Sequence, residues 1–214
     1  RQEDLAHQIK SSLSAAMLSA DMIDNDISCA KIQSQLIIEQ LERSNHMLNM
    51  FLLENKVFSN DKNINFMNAS IQNCIKNSIQ NVKKYAEEKD IDIILGDSDC
   101  ILFMDMFWIE EGIETILKNA ITYSDVHSTI HIKVYCDDYL HILIQNQGKL
   151  DLNTEEIFTR YASSDLSNEH YGIGLNMVKN IIEKHFGKIY VENDQEYVIF
   201  HIKIPTTKLE RFKL

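Results

Sequence analysis

The chain has 214 residues, of which 44% are apolar, and this is enough for one or two domains with a hydrophobic core. Its formal net charge of -11 argues against nucleic-acid binding, because an acidic surface repels phosphates and no basic run offsets the repulsion. The longest apolar runs, such as "IDIILG" and "CILFM", are far too short to span a bilayer, and no signal peptide is visible.

The first predicted element is a helix that starts near Leu5. His7 lies two residues from both Leu5 and Ile9, which at about 100° per residue places it roughly 200° away from each. We therefore expect the imidazole of His7 to face solvent. The apolar residues recur every three or four positions, as in a helix that lays one stripe against a partner: Leu5, Ile9, Leu13, Ala16, Ala20, Ile23 and Ile27.

A second helical stripe follows the polar segment "DMIDNDIS" and consists of Ile38, Leu41, Leu48 and Leu52. Two helices joined by a short turn predict an antiparallel hairpin over residues 1–56. Such a hairpin cannot bury its stripe alone, so we expect two copies to form a four-helix bundle. The segment "VFSNDKN" is predicted to be a linker, and residues 62–214 a second domain.

Strands and helices alternate in this second domain. The sequence predicts a strand over "INFMNAS", a helix over 71–90, and two strands, "IDIILG" and "CILFMD", around a turn at Gly96–Asp99. A helix over 106–124, a hairpin of "TIHIKVYCDD" and "YLHILIQNQG", a helix over 172–186 and a final hairpin complete the chain. This mixture predicts an α+β sandwich with helices on one face of a sheet.

The four cysteines, Cys29, Cys74, Cys100 and Cys136, are far apart in the sequence and form no C-x-x-C pair. A zinc site or a disulfide framework needs closer pairing. We therefore expect free thiols that are mostly buried, in a protein of a reducing compartment.

Three of the six glycines, Gly148, Gly172 and Gly174, fall within residues 145–175, and two of them are spaced G-x-G at the start of the helix over 172–186. Glycine at a helix start lets backbone N–H groups approach an anion, and the helix dipole favours negative charge there. A tight turn is the alternative. The helix over 106–121 is predicted to turn a small and polar face toward the same region, made of Gly112, Thr115, Asn119 and Thr122.

Five segments in order resemble the sequence boxes of a sensor histidine kinase of a two-component system. "LAHQIKSSLS" is similar to the phosphoacceptor box, "ILKNAITYS" to the N box, "NQGKL" to the G1 box, "EEIFTRY" to the F box and "YGIGLNMVKNIIEKHFGKIYVEN" to the G2 box. The resemblance implies a dimerisation hairpin followed by an ATP-binding sandwich of the type shared with gyrases and heat-shock chaperones, with ATP and Mg²⁺ as cofactors. It also implies a homodimer, a response regulator receiver domain as partner, and the cytoplasmic portion of a sensor whose membrane segment is absent from this chain.

The resemblance implies roles for individual residues as well. His7 is the phosphoacceptor, since a neutral imidazole is nucleophilic near neutral pH. Asn119 holds Mg²⁺ through its side-chain oxygen. For Tyr123, packing near the adenine and packing in the core both remain open. The other nucleotide contacts that the resemblance implies are Asn146, Gly148, Arg160, Gly172, Gly174 and Leu175. We expect Lys118 to substitute for the phosphate contact of a family lysine whose position Thr122 occupies.

Several positions depart from the family pattern. Gln8 replaces an acid and can only orient His7, because an amide cannot take its proton. Asn146 replaces an Asp, which removes the charge from the expected adenine contact. The other departures are Ser12 for a proline, Thr115 and Thr122 for an Asn and a Lys, and Leu150 for a glycine.

Together the boxes predict an ATP-dependent protein-histidine kinase that autophosphorylates His7 and passes the phosphoryl group to an Asp of a response regulator. The alternative is a degenerate kinase that acts as a regulator phosphatase or a nucleotide-binding scaffold. A clamp ATPase of the gyrase type or an anti-sigma serine kinase shares the sandwich, but neither needs a His-bearing hairpin ahead of it.

Overall fold

The computed structural model describes residues 2–25, 30–38, 40, 41, 44, 48, 52, 64–150, 154, 156–159, 174–194 and 196–206, with the backbone alone for residues 2–8, 24 and 25. The chain divides into two compact units, one over residues 1–58 and the other over most of the chain from residue 59 onward. The predicted linker, residues 57–63, lies outside the described residues. Within the described ranges, no helix combines the length and the apolar character needed to cross a membrane.

The first unit is helical. Helix α1 spans Gln2–Asn25, and helix α2 is described over residues 30–38 and at single helical positions as far as residue 52. Ser12 and Ala16 of α1 are buried, whereas Leu13 is 42% exposed. Within the predicted stripe of α1, Ala16 is therefore buried while Leu13 is exposed to solvent. About half of each side chain in the α2 stripe is exposed: Ile38, Leu41, Leu48 and Leu52.

The second unit is a mixed α+β structure, as the sequence predicts. A five-stranded sheet has the order β2-β4-β5-β7-β6, and β1 pairs with β3 in a separate two-stranded sheet. In the described part of this unit the elements are β1 (Met67–Ser70), α3 (Ile71–Glu88), β2 (Asp92–Leu95), β3 (Ile101–Met104), α4 (Met106–Tyr123), β4 (Thr129–Cys136), β5 (Tyr139–Gln147), a 3-10 turn (Glu156–Phe158), α5 (Gly174–Lys184), β6 (Lys188–Asn193) and β7 (Tyr197–Pro205).

The large sheet has one face in the core and one face toward solvent. Side chains of β5 and β7 alternate between buried and partly exposed along the whole of each strand. This period of two is the pattern of a sheet that is covered on one side only. The predicted hairpins β4–β5 and β6–β7 are both present and antiparallel.

The two short strands around Gly96–Asp99 do not form a hairpin with each other. β2 joins the edge of the large sheet in parallel with β4, while β3 pairs antiparallel with β1. The intervening loop explains the separation, because Asp99 Oδ1 accepts hydrogen bonds from Ser70 Oγ at 2.9 Å and from the Gln72 amide at 3.1 Å. These bonds turn the chain away from β2 and toward the start of α3.

The cysteines correct a prediction. Cys100 and Cys136 form a disulfide with their Cα atoms 6.7 Å apart, so the expectation of free thiols is wrong for this pair. Their separation of 36 residues conceals the pairing in the sequence, but the parallel pairing of β2 with β4 brings them together in space. Cys74 is free and buried, and its burial raises the pKa of the thiol. Cys29 lies outside the described residues.

Candidate functional site

The predicted site residues of the second unit that the structure describes lie on α4, on α5 and at the end of β5, and α4 packs against α5. The Asp105 amide just before α4 donates to Nε2 of His185, just after α5, at 3.1 Å. In the middle of both helices, a Cβ atom on Gly112 would lie 3.8 Å from side-chain atoms of Val178 and Ile181. The helices therefore run antiparallel, and the first turn of α5 lies toward the C-terminal half of α4.

This contact corrects the position expected for Gly112. The sequence places Gly112 on a polar face toward a pocket, but the residue is buried against α5. The nearest side-chain atoms are apolar and at ordinary van der Waals distance. Gly112 therefore belongs to the helix packing, and the polar face of α4 begins at Thr115, one turn further on.

The end of β5 meets the end of α4 at Gly148. This glycine has a φ of 152°, and a Cβ atom there would lie 2.7 Å from the Tyr123 carbonyl oxygen. Any other residue would force the two backbones apart. Gly148 is held in place by its own N–H, which donates to the Glu196 carbonyl oxygen at 2.9 Å. The close approach brings the end of β5 against the last turn of α4.

Asn146 is a buried amide beside this junction, with 2% of its surface exposed. Its Nδ2 donates to the Gln147 carbonyl oxygen at 3.2 Å. Within the described part of the chain this is the one hydrogen bond of the side chain, so Oδ1 remains available as an acceptor. Asn146 Oδ1 is not fully enclosed, so it can accept a hydrogen bond from a ligand that supplies an N–H group.

Asn119 lies one helical turn before Tyr123 on α4 and is half-buried. Its side chain makes no hydrogen bond to any described residue. The two threonines that replace family residues are bonded to the helix itself, Thr115 Oγ1 to the Glu111 carbonyl and Thr122 Oγ1 to the Lys118 carbonyl, each at 2.8 Å. Asn119 is therefore the amide oxygen that this face of α4 offers to a ligand.

The Lys118 side chain contacts Glu114 and the Tyr85 ring, and not the other predicted site residues. Its Nζ pairs with Glu114 at 2.7 Å and lies 5.5 Å from the centre of the Tyr85 ring of α3. Glu114 in turn accepts from Asn81 of α3 at 3.1 Å. The predicted phosphate contact of Lys118 would require this arrangement to open, and the structure does not bring Lys118 together with the other site residues.

Two more residues, Asn176 and Asn193, support the site and were not singled out in the sequence. Asn176 in the first turn of α5 donates to the Phe158 carbonyl oxygen at 2.9 Å, which ties the 3-10 turn to this helix. Asn193 donates to the Leu150 carbonyl and accepts from the Leu150 amide, at 3.0 and 3.2 Å. Asparagines that bond to backbone across 18 and 43 residues leave no local sequence signal, so their roles become visible only in the fold.

The remaining predicted residues are described in part or not at all. Gly174 and Leu175 open α5 and are half-buried. Tyr123 is 50% exposed, which favours a position at the site opening over the core. His7 and Gln8 lie in α1, but their side chains are not among the described parts of the structure. Arg160 and Gly172 lie outside the described residues altogether. The outward orientation of His7 stays a prediction.

The arrangement suits a ligand with a flat polar ring and an anionic tail. Asn146 offers an amide oxygen for a polar ring at this junction, and the first turn of α5 presents backbone N–H groups with no acidic side chain in that turn. Among the described residues no cluster of three or more His, Cys, Asp or Glu could hold a metal ion. A hard cation here would depend on the Asn119 oxygen together with oxygens of the ligand.

Comparison with known proteins agrees with this geometry. Residues 104–208 match the family of histidine kinase-, DNA gyrase B-, and HSP90-like ATPases. The chain is 25% identical over 210 residues to the sensor histidine kinase HprS of Escherichia coli, with 95% of the chain and 46% of HprS covered. It is 31% identical over 147 residues to the heme sensor protein HssS of Staphylococcus aureus, with 65% of the chain and 31% of HssS covered. The chain thus spans less than half the length of these relatives.

Solved structures show the same fold. The Acinetobacter baumannii histidine kinase AdeS superimposes with a TM-score of 0.79 at 17% identity, over 94% of this chain and 98% of that one. The histidine kinase ThkA, in complex with the response regulator protein TrrA, superimposes with a TM-score of 0.77 at 19% identity, over 96% of this chain and 61% of that one. Both matches extend over the helical unit and the sheet unit.

Proposed function

Because the chain belongs to the sensor histidine kinases, with an ATP-binding domain of the kind shared with gyrase B and HSP90, we propose that it transfers the γ-phosphoryl group of ATP to His7. The observation that carries the proposal is the junction of three elements: the end of α4 with Asn119, the end of β5 with Asn146 and Gly148, and the first turn of α5. The antiparallel packing of α4 and α5, and the contact of β5 with α4 at Tyr123, support one site for the ring and the phosphates.

Each site residue has a task that its environment supports. Oδ1 of Asn146 accepts from the exocyclic amino group of adenine. Gly148 lets the end of β5 approach the Tyr123 carbonyl of α4, and we expect the ring to lie close to this junction. Backbone N–H groups at Gly174 and Leu175 bind phosphate oxygens. Asn119 would hold Mg²⁺, which neutralises charge on the phosphates when bound. Arg160 and Gly172 complete the proposed phosphate contacts.

His7 is the proposed acceptor. A neutral ring nitrogen attacks the γ-phosphorus, the bond from that phosphorus to the β,γ-bridging oxygen breaks, and ADP leaves. Gln8 next to it can orient the ring by a hydrogen bond, but it cannot accept the proton, which passes to solvent or to phosphate. We therefore expect slow phosphorylation.

The proposed partner is the receiver domain of a response regulator, to whose Asp the phosphoryl group passes. The solved complex of ThkA with its response regulator supports this proposal, because the matched ThkA chain has both units in the same fold. We also propose that the chain is the cytoplasmic portion of a longer sensor protein, since its curated relatives are more than twice its length.

We further propose a homodimer formed through residues 1–56. The exposed apolar residues of α1 and α2, Leu13 and Leu52 among them, form a surface that a second copy would cover. Light scattering on the full chain and on a fragment that starts near residue 61 tests this. A monomeric full chain at micromolar concentration would contradict it.

The kinase proposal is tested with γ-labelled ATP and Mg²⁺. We expect label on His7 alone, lost in acid, since phosphohistidine is acid-labile and phosphoserine is not. His7→Gln should abolish the label while dimerisation and ADP affinity stay unchanged, and a matched His131→Gln variant should label normally. Label that survives acid, or that persists in His7→Gln, rules the proposal out.

The regulator phosphatase or nucleotide-binding scaffold is the second candidate. Two observations favour it: Asn146 carries no charge for the adenine contact, and Lys118 is paired with Glu114 rather than free for phosphate. If ADP binds but no label reaches His7 in long incubations, loss of phosphate from a phosphorylated receiver domain becomes the assay that separates these roles.

A further inference from the structure

The disulfide between Cys100 and Cys136 lies at the end of the sheet opposite to the nucleotide site. Cys136 ends β4, just before the turn into β5 at Tyr139, whereas Gly148 follows the other end of β5. Nine residues of extended strand separate the two ends, a length of about 30 Å. The disulfide is therefore not a component of the site described above.

Both sulfur atoms belong to residues that small molecules can reach. Cys136 is exposed and Cys100 is half-buried, in contrast to Cys74, which is buried in the core. Their Cα atoms, 6.7 Å apart, are within the range that a disulfide spans without backbone movement. Exposed disulfides are the ones that thiols reduce and re-form most readily.

The loop that carries Cys100 also holds the start of α3. The Ile71 amide donates to the Cys100 carbonyl oxygen at 3.0 Å. Asp99 accepts from Ser70 and from the Gln72 amide, and this last bond is the main reason why the pKa of the Asp99 carboxyl is lowered. The disulfide fastens this loop, and with it the first turn of α3, to β4 of the large sheet.

Helix α3 in turn packs on α4, which carries Asn119. Asn77 Nδ2 donates to Glu110 Oε1 at 2.7 Å, and Ser78 Oγ donates to the Glu110 carbonyl oxygen at 3.3 Å. The cross-link therefore restrains the helix layer from the side away from the nucleotide.

We propose that Cys100 and Cys136 are a reversible oxidation site, which a small-molecule disulfide such as oxidised glutathione converts from two thiols to one disulfide. The more exposed thiolate of Cys136 attacks one sulfur of glutathione disulfide and releases one glutathione thiolate. Cys100 then attacks the mixed disulfide at Cys136 and releases the second glutathione. Two protein thiols lose two electrons and two protons, and one glutathione disulfide becomes two glutathione molecules. The inference does not depend on nucleotide binding.

The test equilibrates the full chain in buffers of oxidised and reduced glutathione and maps the thiols by alkylation and peptide mass. We expect Cys100 and Cys136 to become protected together as the buffer becomes more oxidising and to become reactive again on return to reduced glutathione, with Cys74 as an internal reference. Cys100→Ser should stop at a glutathione adduct on Cys136. Two thiols that stay reactive in excess oxidised glutathione, or a disulfide that reduced glutathione leaves intact, overturn the proposal.

Two physical measurements test whether the cross-link stabilises the fold, beyond showing that the two cysteines react. The oxidised chain should melt about 5–10 °C above the reduced one, because the cross-link closes a 36-residue separation in the unfolded chain. Cys136→Ser should show no difference between the two buffers. Amide exchange at Gln72 and Asn73 should be slower in the oxidised form, and exchange in the first turn of α5 should be equal in both. Equal melting temperatures together with equal exchange at α3 contradict the proposal.

Discussion

The polar side chains near the two ends of α4 differ in how many hydrogen-bond partners they have. At the N-terminal end, Asp105 and His185 are 6% and 2% exposed, and their polar atoms are bonded: Asp105 accepts from the Asn65 and Trp108 amides, and His185 bonds to the Asp105 amide and the Ile181 carbonyl. At the C-terminal end, Asn119 has no hydrogen bond to any described residue, and Asn146 has one.

The side chains near the N-terminal end of α4 therefore contribute mainly to stability, and those near the C-terminal end are available for ligand binding. A closed polar network rigidifies a core, because each buried group has its partner and loses heavily when that partner is removed. An open set of acceptors contributes little to folding and is available to a ligand. We therefore expect substitutions at the first end to change the free energy of unfolding, and substitutions at the second end to change nucleotide affinity.

The largest effect is expected from His185→Ala. The change leaves the Asp105 amide without its acceptor and removes a ring that packs 5.1 Å from Phe66, so the free energy of unfolding should fall by about 3 kcal/mol. Urea denaturation measures it. The control is His127→Asn, an exposed residue at positive φ whose pair with Asp90 should be worth almost nothing. An equal loss of unfolding free energy in both variants would contradict the assignment of His185 to a network that stabilises the fold.

Gly148→Ala should disturb both properties at once. The new Cβ atom would lie 2.7 Å from a backbone oxygen at a φ of 152°, so we expect a loss of about 2 kcal/mol in unfolding free energy and weaker ADP binding. Gly96→Ala is the matched control, because its nearest contact, the Ile132 carbonyl oxygen, is at an ordinary 3.5 Å. An unchanged ADP affinity in Gly148→Ala would separate the end of β5 from the nucleotide.

Asn146→Asp should tighten nucleotide binding about tenfold, or about 1.4 kcal/mol, because the adenine amino group would then meet a charged acceptor. Calorimetry with ADP and Mg²⁺ on both proteins gives the comparison. Weaker binding in the variant would show that the amide, and not a carboxylate, suits this ligand. No binding to either protein at millimolar nucleotide would favour the scaffold alternative without nucleotide.

The smallest effect concerns pH. Burial lowers the pKa of His185, so the unfolded chain takes up a proton before the native state does as the pH falls. Its contribution to stability is complete above about pH 6.5 and is lost below it, with a slope of at most about 1.4 kcal/mol per pH unit. Asp99 and Asp137 are exposed carboxyls whose pKa values are lowered, so they change protonation only below pH 3.8. They therefore do not contribute to the pH dependence that His185 causes. An identical slope in wild type and His185→Ala would contradict the assignment.

Much of the fold was accessible from the sequence because its signals are local. The alternation in β5 and β7 and the stripe of α4 with Ile109, Ile113 and Leu117 follow from periods of 2 and 3.6 residues. Side-chain contacts between distant segments were not accessible. The Cys100–Cys136 bond and the pair of β1 with β3 depend on how the loop at Asp99 turns, and no periodicity encodes that.

The site shows the same division. Asn119, Asn146, Gly148 and Gly174 were predicted from their boxes, and their nucleotide contacts stay predictions. The structure shows that the end of β5 meets α4 at Tyr123 and that α4 packs on α5. Lys118 was grouped with them as a substitute for the N-box lysine that Thr122 replaces, yet neighbouring helix residues point about 100° apart, and its ammonium group lies toward the Tyr85 ring of α3. Asn176 and Asn193 were missed, since both act on backbone far along the chain.

Hydrogen exchange with and without ADP and Mg²⁺ tests the central claim most directly, because it reads both ends of α4 in one experiment. Bound nucleotide should slow exchange in the first turn of α5, over Gly174–Met177, and at Asn146–Gly148, and should leave the amides of Asp105 and His185 unchanged. Slowing confined to the Asp105 end, or none at the start of α5 at saturating nucleotide, would contradict the assignment of the open end as the nucleotide site.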